Sequence, residues 1–138
     1  MKNKAPLMLM EIMILMLVFA FATALCIKAF VKSDEISRRS EARDNAVIIV
    51  ENVAERLRNN GGDLAKTAME LDADLNGNTI VINYDKYTHK TDNVSEYQMK
   101  AELCSAKMKG MGEARISVSD KKSDELFAVS VMWQEAVE

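Results

Sequence analysis

Apolar positions along this chain follow three different rules in three successive stretches. From 7 to 31 they simply follow one another, with Glu11 and Lys28 the only charges among 25 residues. A helix rises about 1.5 Å per residue and a membrane span takes about 20 predominantly apolar residues, so 7–31 predicts a transmembrane helix. From 46 onward the apolar residues take up a helical period. Ala46, Val50, Val53 and Leu57 recur at i, i+4, i+7 and i+11, and Val47, Ile49 and Ala54 widen the stripe. Between the two, 33–45 is polar, with only Ile36 and Ala42 apolar, and neither Pro nor Gly occurs from 33 to 59. The pattern predicts an amphipathic helix over 32–60 that continues from the membrane and ends at Asn59-Asn60-Gly61-Gly62, a C-cap sequence.

Beyond residue 61 alternation replaces the helical period, and 61–138 reads as a small α+β domain. Asp63 is placed to cap a short helix whose apolar positions are Leu64, Ala68 and Leu71, and Asn76-Gly77 is a turn signal. Four strands are predicted. Residues 79–85 carry Ile80, Ile82 and Tyr84 on one face, and 96–108 carry Tyr97, Met99, Ala101 and Leu103. Residues 113–119 carry Ala114, Ile116 and Val118, and 126–135 carry Phe127, Val129, Val131 and Trp133. Short links at 109–112 and 120–125 suit antiparallel neighbours. The loop 86–95 is polar and expected to be mobile. A sheet with one apolar face needs a cover, and the stripe Ala46 to Leu57 supplies it. The expected fold class is α+β: a long N-terminal helix, transmembrane in its first half and amphipathic in its second, packed on a small antiparallel sheet.

Charge divides the chain at the same place. Residues after Val31 carry 15 basic and 20 acidic side chains, a net of −5, whereas 1–31 carry three basic and one acidic. An acidic exterior argues against a nucleic-acid partner. The two cysteines do not make a pair, because Cys26 lies in the apolar run and Cys104 in a strand.

Glu11 is the most informative residue. It is the only charge between Lys4 and Lys28, and a charge at a membrane helix centre costs roughly 2.5–3.5 kcal/mol, less near an end where it reaches headgroups. An acid there either grazes the interface or has a positive partner. A cleavable secretory signal is the competing reading, with Lys2 and Lys4 as its basic region and Ala20-Phe21-Ala22 as an A-x-A site. Glu11 would interrupt its apolar core, and cleavage after Ala22 would leave apolar residues at the new terminus. A lipoprotein signal fits poorly, because Leu25 rather than a small residue precedes Cys26. A retained anchor is therefore expected.

Basic leader, apolar helix start, Leu at the third and Glu at the fifth position, then an amphipathic half-helix on an antiparallel sheet: this combination resembles the type IV pilin and pseudopilin family. With Leu7 as the first mature residue, Leu9 and Glu11 match the family's Leu and Glu, and Lys2 and Lys4 match its basic leader, 1–6. The resemblance implies that Glu11 pairs with the amino terminus of a neighbouring subunit, the amine of Leu7 if the leader is removed. It also implies other pilin-like subunits as partners through the N-terminal helix, besides membrane lipid, and a prepilin peptidase and assembly platform. The junction departs from the family: Pro6 stands where Gly is usual, and Leu7 and Met8 stand where Phe or Met and then Thr are usual. Proline's fixed φ and missing N–H obstruct cleavage, so the leader is expected to be kept. Basic residues near the span ends, counted literally, favour a cytoplasmic C-terminal domain. The short head and the resemblance favour the reverse, a cytoplasmic N-terminus with an extracytoplasmic domain, and that topology is expected.

Other constellations carry less. Asp72-x-Asp74-x-Asn76-Gly77 matches the first half of a calcium loop, but Asn83 stands where a bidentate Glu is needed and a strand follows, so a polar turn is the expectation. His89 is the lone histidine, in a polar loop, and is expected to be solvated. Cys104 is expected to be a small buried filler and Trp133 a core anchor. The chain has no phosphate loop, nucleophile motif or metal cluster, so no cofactor and no enzymatic activity are expected. Two function classes remain: a membrane-anchored structural subunit, minor or accessory, of a pilus-like or type II secretion-like filament, and a permanently anchored extracytoplasmic binding or scaffold protein.

Overall fold

The computed structural model describes residues 5–93, 95–106 and 108–135. The chain forms α1 (Ala5–Asn59), α2 (Leu64–Glu70) and five strands: β1 (Leu75–Asn76), β2 (Thr79–Tyr84), β3 (Tyr97–Cys104), β4 (Met111–Asp120) and β5 (Glu125–Gln134). The fold is α+β, as the periodicity implied. It divides into two compact units, Met1–Ser40 and Glu41–Glu138.

The second unit holds the core. Its sheet is an antiparallel meander in the order β1-β2-β3-β4-β5. The register lines up core residues in rows across the strands. Ile80, Ala101, Ile116 and Val129 form one row, and Ile82, Met99, Val118 and Phe127 form the next. The stripe of α1 lies over this face. Ala46, Ile49, Val50, Val53 and Leu57 are buried in one cluster with Ile80, Met99, Ile116, Val118, Val131 and Trp133. Asn45 adds a polar tie, its Nδ2 donating to Tyr97 Oη at 3.3 Å and to the Lys86 carbonyl at 3.4 Å.

Local sequence explains where the elements stop. After Asn59, Gly61 and Gly62 take φ of +63° and +82°, and the Gly62 N–H donates to the Leu57 carbonyl at 2.9 Å. This left-handed exit satisfies carbonyls the helix would otherwise orphan. Gly62 has a second duty. A Cβ on Gly62 or on Gly112 would run into the Trp133 indole, so two bare backbones make the slot that buries the tryptophan. Asp63 caps α2, its carboxylate accepting from the Lys66 N–H at 3.0 Å.

Four expectations need correction. The sheet has five strands rather than four. Leu75–Asn76 pairs with Thr79 and Ile80, and Gly77 at φ +61° opens the two-residue loop, the position a II′ hairpin gives to glycine. The third strand ends at Cys104, opposite Glu113, rather than running to 108, and Lys107 lies outside the described residues. Cys104 is exposed, not buried, because it sits where the ladder ends. The loop after β2 is also more tied than its composition suggested. Asp85 Oδ1 accepts from the N–H groups of Tyr87 and His89 at 2.8 and 2.9 Å, and the Asp85 N–H donates to the His89 carbonyl at 2.8 Å.

Candidate membrane and assembly segment

The first half of α1 presents apolar side chains on every side. Leu7, Phe19 and Phe30 are 66%, 73% and 78% exposed. Its most apolar 18-residue window has a mean hydropathy of 2.5 and none of it is buried, so the helix is long and apolar enough to cross a membrane. Burying apolar surface is worth about 25 cal/mol per Å², so a sheath of this kind demands lipid or other chains around it. The one hydroxyl there is satisfied within the helix, Thr23 Oγ1 donating to the Phe19 carbonyl at 2.9 Å.

Glu11 lies on this segment, exposed. Its neighbours one turn away, Leu7, Met8, Ile14 and Leu15, are all apolar. Among the described residues it has no hydrogen-bond or ion-pair partner. A carboxylate so placed can be satisfied by headgroups or by a cation on another chain.

The expected junction falls inside the helix. α1 begins at Ala5, so Pro6 and Leu7 both lie in its first turn, where proline's missing N–H costs nothing. Lys2 and Lys4, the basic residues of the expected leader, lie outside the described residues. Ala20, Phe21 and Ala22, the competing cleavage site, lie in mid-helix.

Past the apolar run the helix surface is charged. Lys32 Nζ meets Glu35 Oε2 at 2.8 Å and Arg38 Nε meets Asp34 Oδ2 at 2.9 Å. The hydrogen bond from Lys32, with its charge, lowers the Glu35 pKa from the ordinary carboxylate value.

Elsewhere the structure offers little chemistry. Among the described residues no group of three His, Cys, Asp or Glu is arranged to hold a metal ion. Asp72, at the head of the half calcium loop, has φ +50° and a carboxylate bound by Lys90 Nζ at 3.0 Å. His89 stands 3.6 Å from Asp85 with its side chain 78% exposed. Trp133 is 8% exposed and belongs to the core. The larger depressions are open. One of about 380 Å³ is lined by Arg43, Arg115, Glu125, Phe127 and Val129 at the β5 edge. Sequence reasoning missed the Asn45–Tyr97 tie, because a single polar residue beside an apolar stripe carries no periodic signal. In comparisons with protein-family models, curated proteins and solved structures, the chain matches none.

Proposed function

We propose that this chain is a membrane-anchored structural subunit of a type IV pilus-like or type II secretion-like filament, in a minor or accessory place. One observation carries the reading. A carboxylate with no partner among the described residues, Glu11, stands near the start of an exposed apolar helix whose continuation covers an antiparallel sheet. A pure anchor has no use for an acid at that position, and a subunit that must find a neighbour does. The N-terminus lies in the cytoplasm and the sheet domain outside it.

Glu11→Ala tests this directly. The variant should insert into the membrane at least as well as the parent, since a costly charge is gone, and should be missing from any sheared or purified filament. Normal incorporation would sink the assembly role.

A permanently anchored scaffold is the second reading, and Pro6 favours it. A proline in the first turn of the helix gives a peptidase a backbone that is both helical and short of an N–H. The leader is therefore retained, and Glu11 is neutralised by a neighbour's lysine rather than by a new amine. The intact mass of the membrane-extracted protein decides this point. A mass lacking residues 1–6 would overturn retention and strengthen the filament reading, and a mass beginning near Thr23 would restore the secretory signal.

A further inference from the structure

The two edges of the sheet are finished differently. At the β2 edge, β1 covers Thr79 and Ile80, and the loop after β2 returns along the rest, with Lys90 pairing to Tyr84 and the Thr91 N–H donating to the Asn83 carbonyl at 3.0 Å. β5 ends the sheet on the other side, and among the described residues no backbone segment pairs with its outer edge. The Glu135 N–H donates to the Gly110 carbonyl at 3.0 Å, one step beyond the pair of Met111 and Gln134. Antiparallel ladder bonds alternate along a strand. Phe127, Val129, Val131 and Trp133 therefore bond to β4, while Ala128, Ser130, Met132 and Gln134 turn their N–H and C=O groups outward. None of these four is a charged residue or a proline, the residues that ordinarily blunt an edge. We propose that this edge pairs with the same edge of a second copy, antiparallel about a two-fold axis at Ser130, so that two sheets become one.

Strand register and charge both select a second copy. The register of β5 shifts between Val118 and Ser119 and is regular from Phe127 onward. A two-fold axis at Ser130 matches 127–133 with itself. Ser130 then exchanges backbone hydrogen bonds with Ser130 of the second copy, and Ala128 with Met132. On the core face Val129 comes beside Val131, and Phe127 beside Trp133. Val129 and Phe127 are only partly buried, although Ile116 and Val118 beside them on β4 are fully buried, so the pairing gives the open ends of both core rows apolar neighbours. Beyond the paired stretch, Glu135 of the second copy reaches the end of the edge where Arg43 stands beside Glu125 and Phe127. Glu125 is already held by Arg115, both of its oxygens at 3.1 Å. Arg43 and Glu135 are exposed, and neither takes part in an ion pair among the described residues. Two-fold symmetry makes their contact twice, once at each end of the joined strands.

Such a contact is closed. Each copy uses its one open edge, so the pairing adds one copy and no more. All of its residues lie in the Glu41–Glu138 unit, and it does not rest on the filament reading. An extended segment of a different protein is the competing occupant. It would use the same outward backbone groups, but nothing would centre it on Ser130 or set an acid level with Arg43.

Disulfide trapping in the full-length chain separates these. Cys26 and Cys104 are both exposed, so the background is Cys26→Ser with Cys104→Ser. Mild oxidation of intact cells making this chain with Ser130→Cys should give a band of twice the chain mass that reduction removes. Ala128→Cys in its place should give none, because the two copies of position 128 would stand about 13 Å apart along the strands, out of disulfide reach. Met132→Pro removes an outward N–H that β4 does not use, so adding it to Ser130→Cys should abolish the band and leave the fluorescence of Trp133 unchanged. Arg43→Glu should reduce the band several-fold, and Arg43→Glu with Glu135→Arg should restore it. If Met132→Pro shifts the fluorescence, this charge exchange on exposed side chains decides instead. A chain that stays monomeric with Ser130→Cys would overturn the proposal, as would a band that forms equally with Ala128→Cys. A disulfide to a protein of another mass would give the edge to the competing occupant.

Discussion

The two halves of α1 hold comparable apolar side chains and treat them in opposite ways. Large apolar residues from Leu7 to Val31 are 53% to 78% exposed, while Ala46, Val50, Val53 and Leu57 are at most 1% exposed. The buried side chains are no more apolar than the exposed ones; what differs is their arrangement, a continuous run in the first half and a stripe among charged residues in the second. Apolar residues all round a helix have no preferred side to bury and call for an apolar medium, whereas a stripe calls for one covering surface, and the sheet provides it. The polar stretch 33–45 separates the run from the stripe along the sequence.

A charge inserted into each half should break the comparison most sharply. Val53→Arg puts an unpaired cation under the sheet, where Val53 is fully buried, and should destabilise the Glu41–Glu138 unit by about 4 kcal/mol or more. Leu57→Ala is the milder form, with an expected loss of about 2–5 kcal/mol. At about 4–8 °C per kcal/mol for a domain of this size, either should lower the Tm visibly. Neither should change the fraction of protein in the membrane. Leu17→Arg should do the converse, costing insertion about 2.5–3.5 kcal/mol while leaving the domain's Tm alone. Thermal melts and membrane fractionation of the three variants read both axes. A Leu57→Ala domain that melts like the parent would mean that this part of α1 is a free stalk.

That contrast was legible in the sequence because period is a local property. The stripe Ala46 to Leu57 and the alternation in β2 to β5 each announce their own burial, and the sheet face follows from Ile80, Met99, Ile116 and Val129 standing at matching phases. What escaped depends on where two strands happen to meet. Two residues, Leu75 and Asn76, are too few to alternate, so β1 appears only once Gly77 has turned the chain back. Cys104 reads as a strand interior until its partner Glu113 is seen to stand at the ladder's end. The double use of Gly62, as helix exit and as wall of the Trp133 slot, joins residues 71 positions apart and leaves no trace in either neighbourhood. For the candidate site, Glu11 was visible as an interruption of the apolar run.

The Trp133 slot permits a finer test of how tightly the second unit is packed. Gly112 lies under the indole, so Gly112→Ala forces the ring or the strand to move, at an expected cost of about 1–3 kcal/mol. Gly110 meets nothing within reach of an added Cβ but has φ +78°, so Gly110→Ala should cost only the backbone strain, about 1 kcal/mol. Tryptophan fluorescence should shift for the first and stay put for the second. Equal melting temperatures with unchanged fluorescence would mean that the slot is looser than it looks.

The smallest expected effect lies in the loop after β2. The backbone N–H of His89, the larger cause, and that of Tyr87 hold the Asp85 carboxylate below its ordinary pKa, against a partial burial that works the other way. These bonds form better with the charged carboxylate, so the folded state binds its proton less readily than the unfolded chain does. Stabilisation of the loop is then complete above the unfolded-state pKa and is lost as pH falls through the lowered folded value. Amide resonances of Tyr87 and His89 in the Glu41–Glu138 unit should titrate together, with a midpoint under that of an unperturbed aspartate. Asp85→Asn keeps an acceptor without the charge, so it should hold the loop and abolish the titration, while Asp85→Ala should speed hydrogen exchange at both amides at every pH. A midpoint at the ordinary aspartate value would show that the two N–H groups do not grip the carboxylate, and that composition alone, polar and unanchored, was the better guide to this loop.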